Sequence, residues 1–187
     1  MHQYFDTHHQ LPPAAVCGPD GTPLLSWRVL ILPFIEQDPL YRQFHLDEPW
    51  DSPHNIELVN QMPPVFGPYR NKRTYDGMTY FRAIVGPGAA FEGCKGLKFS
   101  DFKDGTSNTM LIAEAWDPVP WTKPEELVYD PHGPLPRFGG IIQDGTFRAL
   151  FADGSVHTIK KEVREESIRA LITRDGGDTI DYEECPP

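Results

Sequence analysis

The chain has 187 residues, including 20 prolines and 16 glycines, and carries a formal net charge of −10 at pH 7. This length fits one domain with its own hydrophobic core. The acidic charge argues against nucleic acids and anionic membranes as partners, and there is no apolar run of about 18 residues that could span a bilayer.

The first third of the chain predicts short helices. Residues 1–10 are expected to form the last turns of a helix that ends near Leu11-Pro12-Pro13, because a residue that precedes a proline disfavours helix. Ser26 can cap a helix over residues 27–37, in which apolar residues recur at helical spacing and Pro33 predicts a break. Trp27 of this run is expected in the core. Further short helices are predicted over residues 40–44 and 51–61.

The rest of the chain predicts mainly strands. Runs rich in β-formers are separated by turn residues at 79–85, 109–115, 146–151 and 156–159. Residues 116–136 are predicted to be an irregular, proline-rich excursion, and residues 165–173 a short amphipathic helix. Helices followed by hairpin strands and a last helix indicate an α+β fold rather than alternating βαβ units.

Asp153-Gly154 is the clearest turn signal. The pair lies between the β-forming runs 147–151 and 156–159. Such a pair favours a type I′ turn, so the sequence predicts a hairpin with Phe151 close to Val156.

No catalytic constellation is recognisable in the sequence. There is no G-x-S-x-G nucleophile motif, and the seven histidines show no metal-ligand spacing. We therefore interpret the chain as a non-enzyme without a cofactor, apart from a candidate calcium ion.

The densest supply of oxygen ligands is the segment 101–109. Asp101, Asp104 and Asn108 could contribute to a Ca²⁺ site, because this cation takes six to eight oxygen ligands. The alternative is a structural loop in which the same side chains satisfy backbone donors. We favour the loop.

Three aromatic residues of the proline-rich excursion could stack on sugars: Trp116, Trp121 and Tyr129. The alternative, which we favour, is that these rings hold the excursion against the core.

Three cysteines, Cys17, Cys94 and Cys185, are an odd number without C-x-x-C spacing. A zinc cluster is therefore disfavoured. The sequence leaves two alternatives open: one disulfide with a free third thiol, or no disulfide at all.

Several phrases resemble the DUF1559 family, a large group of uncharacterised proteins expanded in planctomycete bacteria. They cover nearly the whole chain: FDTH (5–8), LPPAA (11–15), LSWRVLILPFIEQ (25–37), FHLDEPWDSPHN (44–55), DGTSNT (104–109) and FADGSV (151–156).

The resemblance implies an exported, pilin-like α+β head that follows a hydrophobic prepilin-type helix. Residues 1–187 are then one DUF1559-like head domain, and the native hydrophobic helix is expected to precede Met1. The fold expected is an N-terminal helix and short helices packed on an antiparallel β-sheet with long proline-rich loops. The resemblance supplies no reaction.

Two positions depart from the family pattern. Members end in His, nine residues and Asp-Gly, but Gln143 stands ten residues before Asp153-Gly154. Members also often carry Cys-Pro where this chain has Gly67-Pro68, so that a family disulfide at this position cannot form.

These observations predict a non-catalytic pseudopilin-like head, part of an envelope filament or a secretion-type assembly. Its expected partners are other envelope proteins or further copies of itself, and it would contact the membrane only through the missing helix. An extracellular solute- or glycan-binding module is the alternative.

Overall fold

The computed structural model describes residues 1–67, 76–141 and 144–177. Its helices are α1 (His2–His8), α2 (Trp27–Leu30), α3 (Asp38–Tyr41) and α4 (Glu165–Ile172). Its strands are β1 (Ala15–Cys17), β2 (Pro23–Ser26), β3 (Met78–Val85), β4 (Met110–Pro120), β5 (Leu127–Val128), β6 (Thr146–Phe151) and β7 (Val156–Lys160). The helices within these ranges are all too short or too polar to cross a bilayer.

The strands form two sheets. β1 and β2 pair as a small antiparallel hairpin, and the main sheet has the order β5-β3-β4-β6-β7. All neighbours in the main sheet are antiparallel except β3 and β5, which run parallel. The α+β class is therefore confirmed, whereas the expectation of a purely antiparallel sheet is wrong at its β5 edge.

Both faces of the main sheet are covered by apolar side chains. Ala83 of β3 belongs to a core cluster that includes residues of α1 and α2. Its neighbour Ile84 belongs to a second cluster, which contains Ile168 and Leu171 of α4. Because successive strand residues point to opposite faces, the sheet separates the N-terminal elements from α4.

The N-terminal helices follow the predicted pattern. α1 ends at His8, and His9 adopts a left-handed conformation (φ 57°) just before Leu11-Pro12-Pro13. The Ser26 hydroxyl accepts a hydrogen bond from the Arg28 N–H, and α2 stops at Leu30. A 3-10 helix over Leu32–Ile35 then accommodates Pro33 in its first turn, so the predicted break is confirmed.

The predicted hairpin at Asp153-Gly154 is confirmed, but its turn type is not I′. Leu150 pairs with Val156, and the Gly154 N–H donates to the Phe151 carbonyl at 3.0 Å. Gly154 has φ 93°, whereas Asp153 is not among the residues with positive φ that a type I′ turn requires. Asp153 Oδ1 instead accepts hydrogen bonds from the Ser155 N–H and hydroxyl, which fixes the loop from within.

Two other predicted segments are corrected. β4 continues to Pro120, so the irregular excursion begins later than expected, and Trp116 lies in a strand. Strand pairing causes this extension, because Val119 and Pro120 pair with the start of β3. The helix expected over residues 51–61 is a 3-10 helix over Asn55–Gln61.

Candidate functional site

A buried ion pair joins the second helix to the main sheet. Arg28 of α2 is fully buried, and its Nη1 lies 3.0 Å from Oε1 of the buried Glu126. Arg28 also donates through Nε to the Phe81 carbonyl at 3.1 Å. The second carboxylate oxygen of Glu126 accepts from the Ala83 N–H at 2.6 Å. The pair therefore connects α2, β3 and the segment that leads into β5.

Burial shifts both members of this pair towards their neutral forms. Burial raises the pKa of Glu126, and the nearby Arg28 charge opposes that shift. Burial likewise lowers the pKa of Arg28, against the attraction of Glu126. A carboxyl group with a raised pKa is a candidate acid–base group in a cleft. Here both side chains are sealed from solvent and hydrogen-bonded to each other and the backbone, so the pair functions as an internal anchor.

Asn55 organises the loop that follows α3. The Asn55 side chain is fully buried and donates to the carbonyls of His45, Glu48 and Pro49 at 2.9, 3.2 and 3.1 Å. Its Oδ1 accepts from the His45 N–H at 3.1 Å. One amide thus contacts four backbone groups of the loop, of which the His45 and Pro49 carbonyls also accept from the Glu48 and Ser52 N–H groups.

Replacing Asn55 with Ala is expected to lower the free energy of unfolding by about 2–3 kcal/mol, because the His45 N–H and the Glu48 carbonyl lose the hydrogen bonds that the buried amide makes. Chemical denaturation of both proteins measures this difference. Asn60→Ala is the matched control, since Asn60 is exposed on the same 3-10 helix. Equal stability losses in the two variants would contradict the assigned role.

The candidate calcium ligands each have a protein partner. Asp101 Oδ2 accepts from the Lys98 N–H at 2.8 Å. The Asp104 carboxylate accepts from the Gly176 and Gly177 N–H groups at 2.8 and 3.0 Å. The Asn108 amide donates to the Asp104 carbonyl at 2.7 Å. These contacts are those of the structural loop, and the calcium site stays a prediction. Within the described residues, His, Cys, Asp and Glu side chains form no group of three or more that could hold a metal.

The three aromatic residues proposed to bind sugars do not form an exposed face. Trp121 is 0% exposed, donates its indole N–H to the Val59 carbonyl and stacks on Phe66. Tyr129 is also buried. Only Trp116 is half-buried, with Arg137 and Lys161 over its ring. The favoured alternative is therefore confirmed for Trp121 and Tyr129, whose rings pack in the two core clusters.

A disulfide joins two of the three cysteines. Cys17 in β1 is bonded to Cys94, with 5.8 Å between their Cα atoms. The third cysteine, Cys185, lies outside the described residues. Sequence alone could not choose this pairing, because the partners are 77 positions apart and only the fold brings them together.

An apolar cavity of about 390 Å³ lies between α2 and the hairpin of β6 and β7. We call it the apolar cavity. Its wall includes Trp27, Phe66, Phe81, Ile112 and Leu150. These residues come from five separate segments, so no local pattern in the sequence could have indicated the cavity.

The terminal motif of the family is described only in part. Asp153 and Gly154 form the hairpin turn, whereas Gln143, which stands at the position of the family histidine, lies outside the described residues.

Comparison with known proteins gives one match. Residues 1–80 match the family described as "Protein of unknown function (DUF1559)". Searches among curated proteins and among solved structures returned no match. The matched segment contains the phrase over residues 25–37, which supplies Arg28 of the buried ion pair, and the loop held by Asn55. The resemblance to the DUF1559 family is therefore confirmed over residues 1–80 of the chain.

Proposed function

We propose that this protein is an exported, non-catalytic head domain of the cell envelope. In this proposal it is pseudopilin-like and serves as a structural component of a filament or a secretion-type assembly. The observation that carries the export step is the disulfide between Cys17 and Cys94. Disulfides form and persist in oxidising compartments and are rare in the reducing cytosol.

The roles of the family phrases support a structural rather than a catalytic protein. Arg28 and Asn55 are both fully buried polar residues of their phrases, and both hydrogen-bond to backbone groups of other segments. Asp104 and Asp153 likewise accept hydrogen bonds from nearby loop N–H groups. Side chains engaged in this way maintain a fold, and the envelope role itself follows from the resemblance to pilin-like proteins.

Cell fractionation tests the proposal. We expect the protein, expressed from its native gene in its native host, to be recovered with the envelope. Cys17 and Cys94 are expected to resist alkylation until a reductant is added, as measured by mass spectrometry. Cross-linking of intact cells should capture the protein in complexes with itself or with other envelope proteins.

A cytosolic protein with both thiols free to react would refute the export step. A Cys17→Ser variant controls for the alkylation assay, because its remaining Cys94 thiol must react without reductant. An envelope location without any cross-linked species would keep the export step and reject the assembly role.

A further inference from the structure

The apolar cavity opens to solvent beside two exposed valines. Val65 and Val156 contribute to its lining and are 61% and 63% exposed. They are two of the four large hydrophobic side chains exposed among the described residues. An exposed apolar patch next to a cavity of ligand size is a feature of binding sites.

Arg148 supplies the charge at this site. It is a half-buried residue of β6 that lines the cavity, whereas the preceding Phe147 packs in the core cluster of α4. Arg148 has no hydrogen bond or ion pair within the described part of the chain. By contrast, other arginines each lie beside a carboxylate: Arg28, Arg42, Arg82, Arg137, Arg169 and Arg174.

Trp27 provides a second unsatisfied group in the cavity wall. Its side chain is almost fully buried, yet its indole N–H has no hydrogen-bond partner among the described residues. A buried donor without an acceptor is uncommon in folded proteins and calls for an explanation at that position. The wall thus combines a large apolar surface with the Arg148 guanidinium and the Trp27 indole N–H, both without an acceptor among the described residues, and it contains no acidic side chain.

We propose that the apolar cavity binds a single-chain amphiphile with a carboxylate head group, such as a fatty acid. Arg148 binds the carboxylate, because a guanidinium pairs with it through two parallel hydrogen bonds. The apolar wall receives the chain. The volume of about 390 Å³ lies at the lower end of the range of about 300–1,000 Å³ for small-molecule sites, which favours one chain over two. This inference does not depend on the proposed envelope role.

Isothermal titration calorimetry with three probes of equal chain length tests the head-group preference. Octanoate is expected to bind at least about tenfold more tightly than octyltrimethylammonium. Arg148 forms a charge-assisted hydrogen bond with the carboxylate, whereas it repels the positively charged ammonium group. Octanol should bind with intermediate affinity. All three are used below their micelle concentrations.

Arg148→Met should weaken octanoate binding at least about tenfold and leave octanol binding unchanged, because it removes the charge and keeps an apolar side chain of similar length. Val156→Asp should weaken octanoate binding to a similar degree by placing a carboxylate at the mouth. Val128→Asp is the matched control: Val128 is also an exposed strand valine, 71% exposed, and lies on β5 at the opposite edge of the sheet.

Circular dichroism of each variant establishes that it is folded before binding is compared. Three results would overturn the proposal: no octanoate binding to the unmodified chain, equal octanoate affinity in Arg148→Met, or equal losses in Val128→Asp and Val156→Asp. The last would indicate detergent-like association with the surface rather than occupation of the cavity.

Discussion

Replacing Arg28 with Met should lower the free energy of unfolding by about 3–5 kcal/mol, because the buried Glu126 carboxyl group and the Phe81 carbonyl both lose the guanidinium that pairs with them. The Ser26 hydroxyl, the Phe81 carbonyl and the Ala83 N–H form the rest of this network. Equilibrium denaturation in urea measures the loss. Arg42→Met is the control, since its exposed pair with Asp38 should contribute less than about 1 kcal/mol.

The double variant Arg28→Met, Glu126→Leu separates the loss of the ion pair from the cost of leaving one unpaired carboxyl group in the core. Removing both charges abolishes the desolvation penalty, so this protein is expected to be more stable than Arg28→Met alone. If Arg28→Met proved as stable as the unmodified chain, Glu126 would have to be neutral or solvated in the folded protein, and the anchor role of the pair would be wrong.

Replacing Trp27 with Ala should cost about 3–5 kcal/mol of stability, because it leaves a cavity in the core cluster of α1 and α2. The Trp27 ring packs edge-on against Phe66, with 6.2 Å between ring centroids. Thermal and urea denaturation give the size of the loss. Trp116→Ala should cost less, since Trp116 is only half-buried.

Two conservative variants distinguish packing from hydrogen bonding. Trp27→Phe keeps an aromatic ring and removes an indole N–H that has no acceptor. Trp121→Phe removes an N–H that donates to the Val59 carbonyl at 2.9 Å. We therefore expect Trp121→Phe to be the more destabilising of the two, since it removes an existing hydrogen bond to the Val59 carbonyl. The reverse order would mean that the Trp27 N–H makes a hydrogen bond in solution.

Local signals predicted the local structure of this chain well. These signals depend only on residues that are adjacent in sequence. Ser26 caps α2, Pro33 lies at the break that follows α2, and the Asp153-Gly154 pair lies in the hairpin turn. The turn type differs because the turn closes one residue earlier than the pair suggests: the Gly154 N–H donates to the Phe151 carbonyl, so that Ala152 and Asp153 are the central residues.

Features that depend on distant partners were not predictable. The partners of Trp121 could not be named in advance, because Val59 lies 62 positions earlier in the chain and Phe66 is similarly distant. The ion pair of Arg28 with Glu126 and the disulfide of Cys17 with Cys94 also connect residues far apart in sequence. The apolar cavity was missed for the same reason, since its wall is assembled from separate segments.

The long-range cross-connections of the N-terminal region also determine where this protein can be divided. The segment that matches the family ends at residue 80, inside β3, before the chain has supplied Cys94, Leu97 or Glu126. Leu11 donates its N–H to the Leu97 carbonyl, and Arg28 requires Glu126. A fragment of residues 1–80 therefore lacks the residues that pair with Leu11 and Arg28 in the whole chain. During synthesis, the contact between Arg28 and Glu126 can form only after more than forty residues beyond the matched segment have been added.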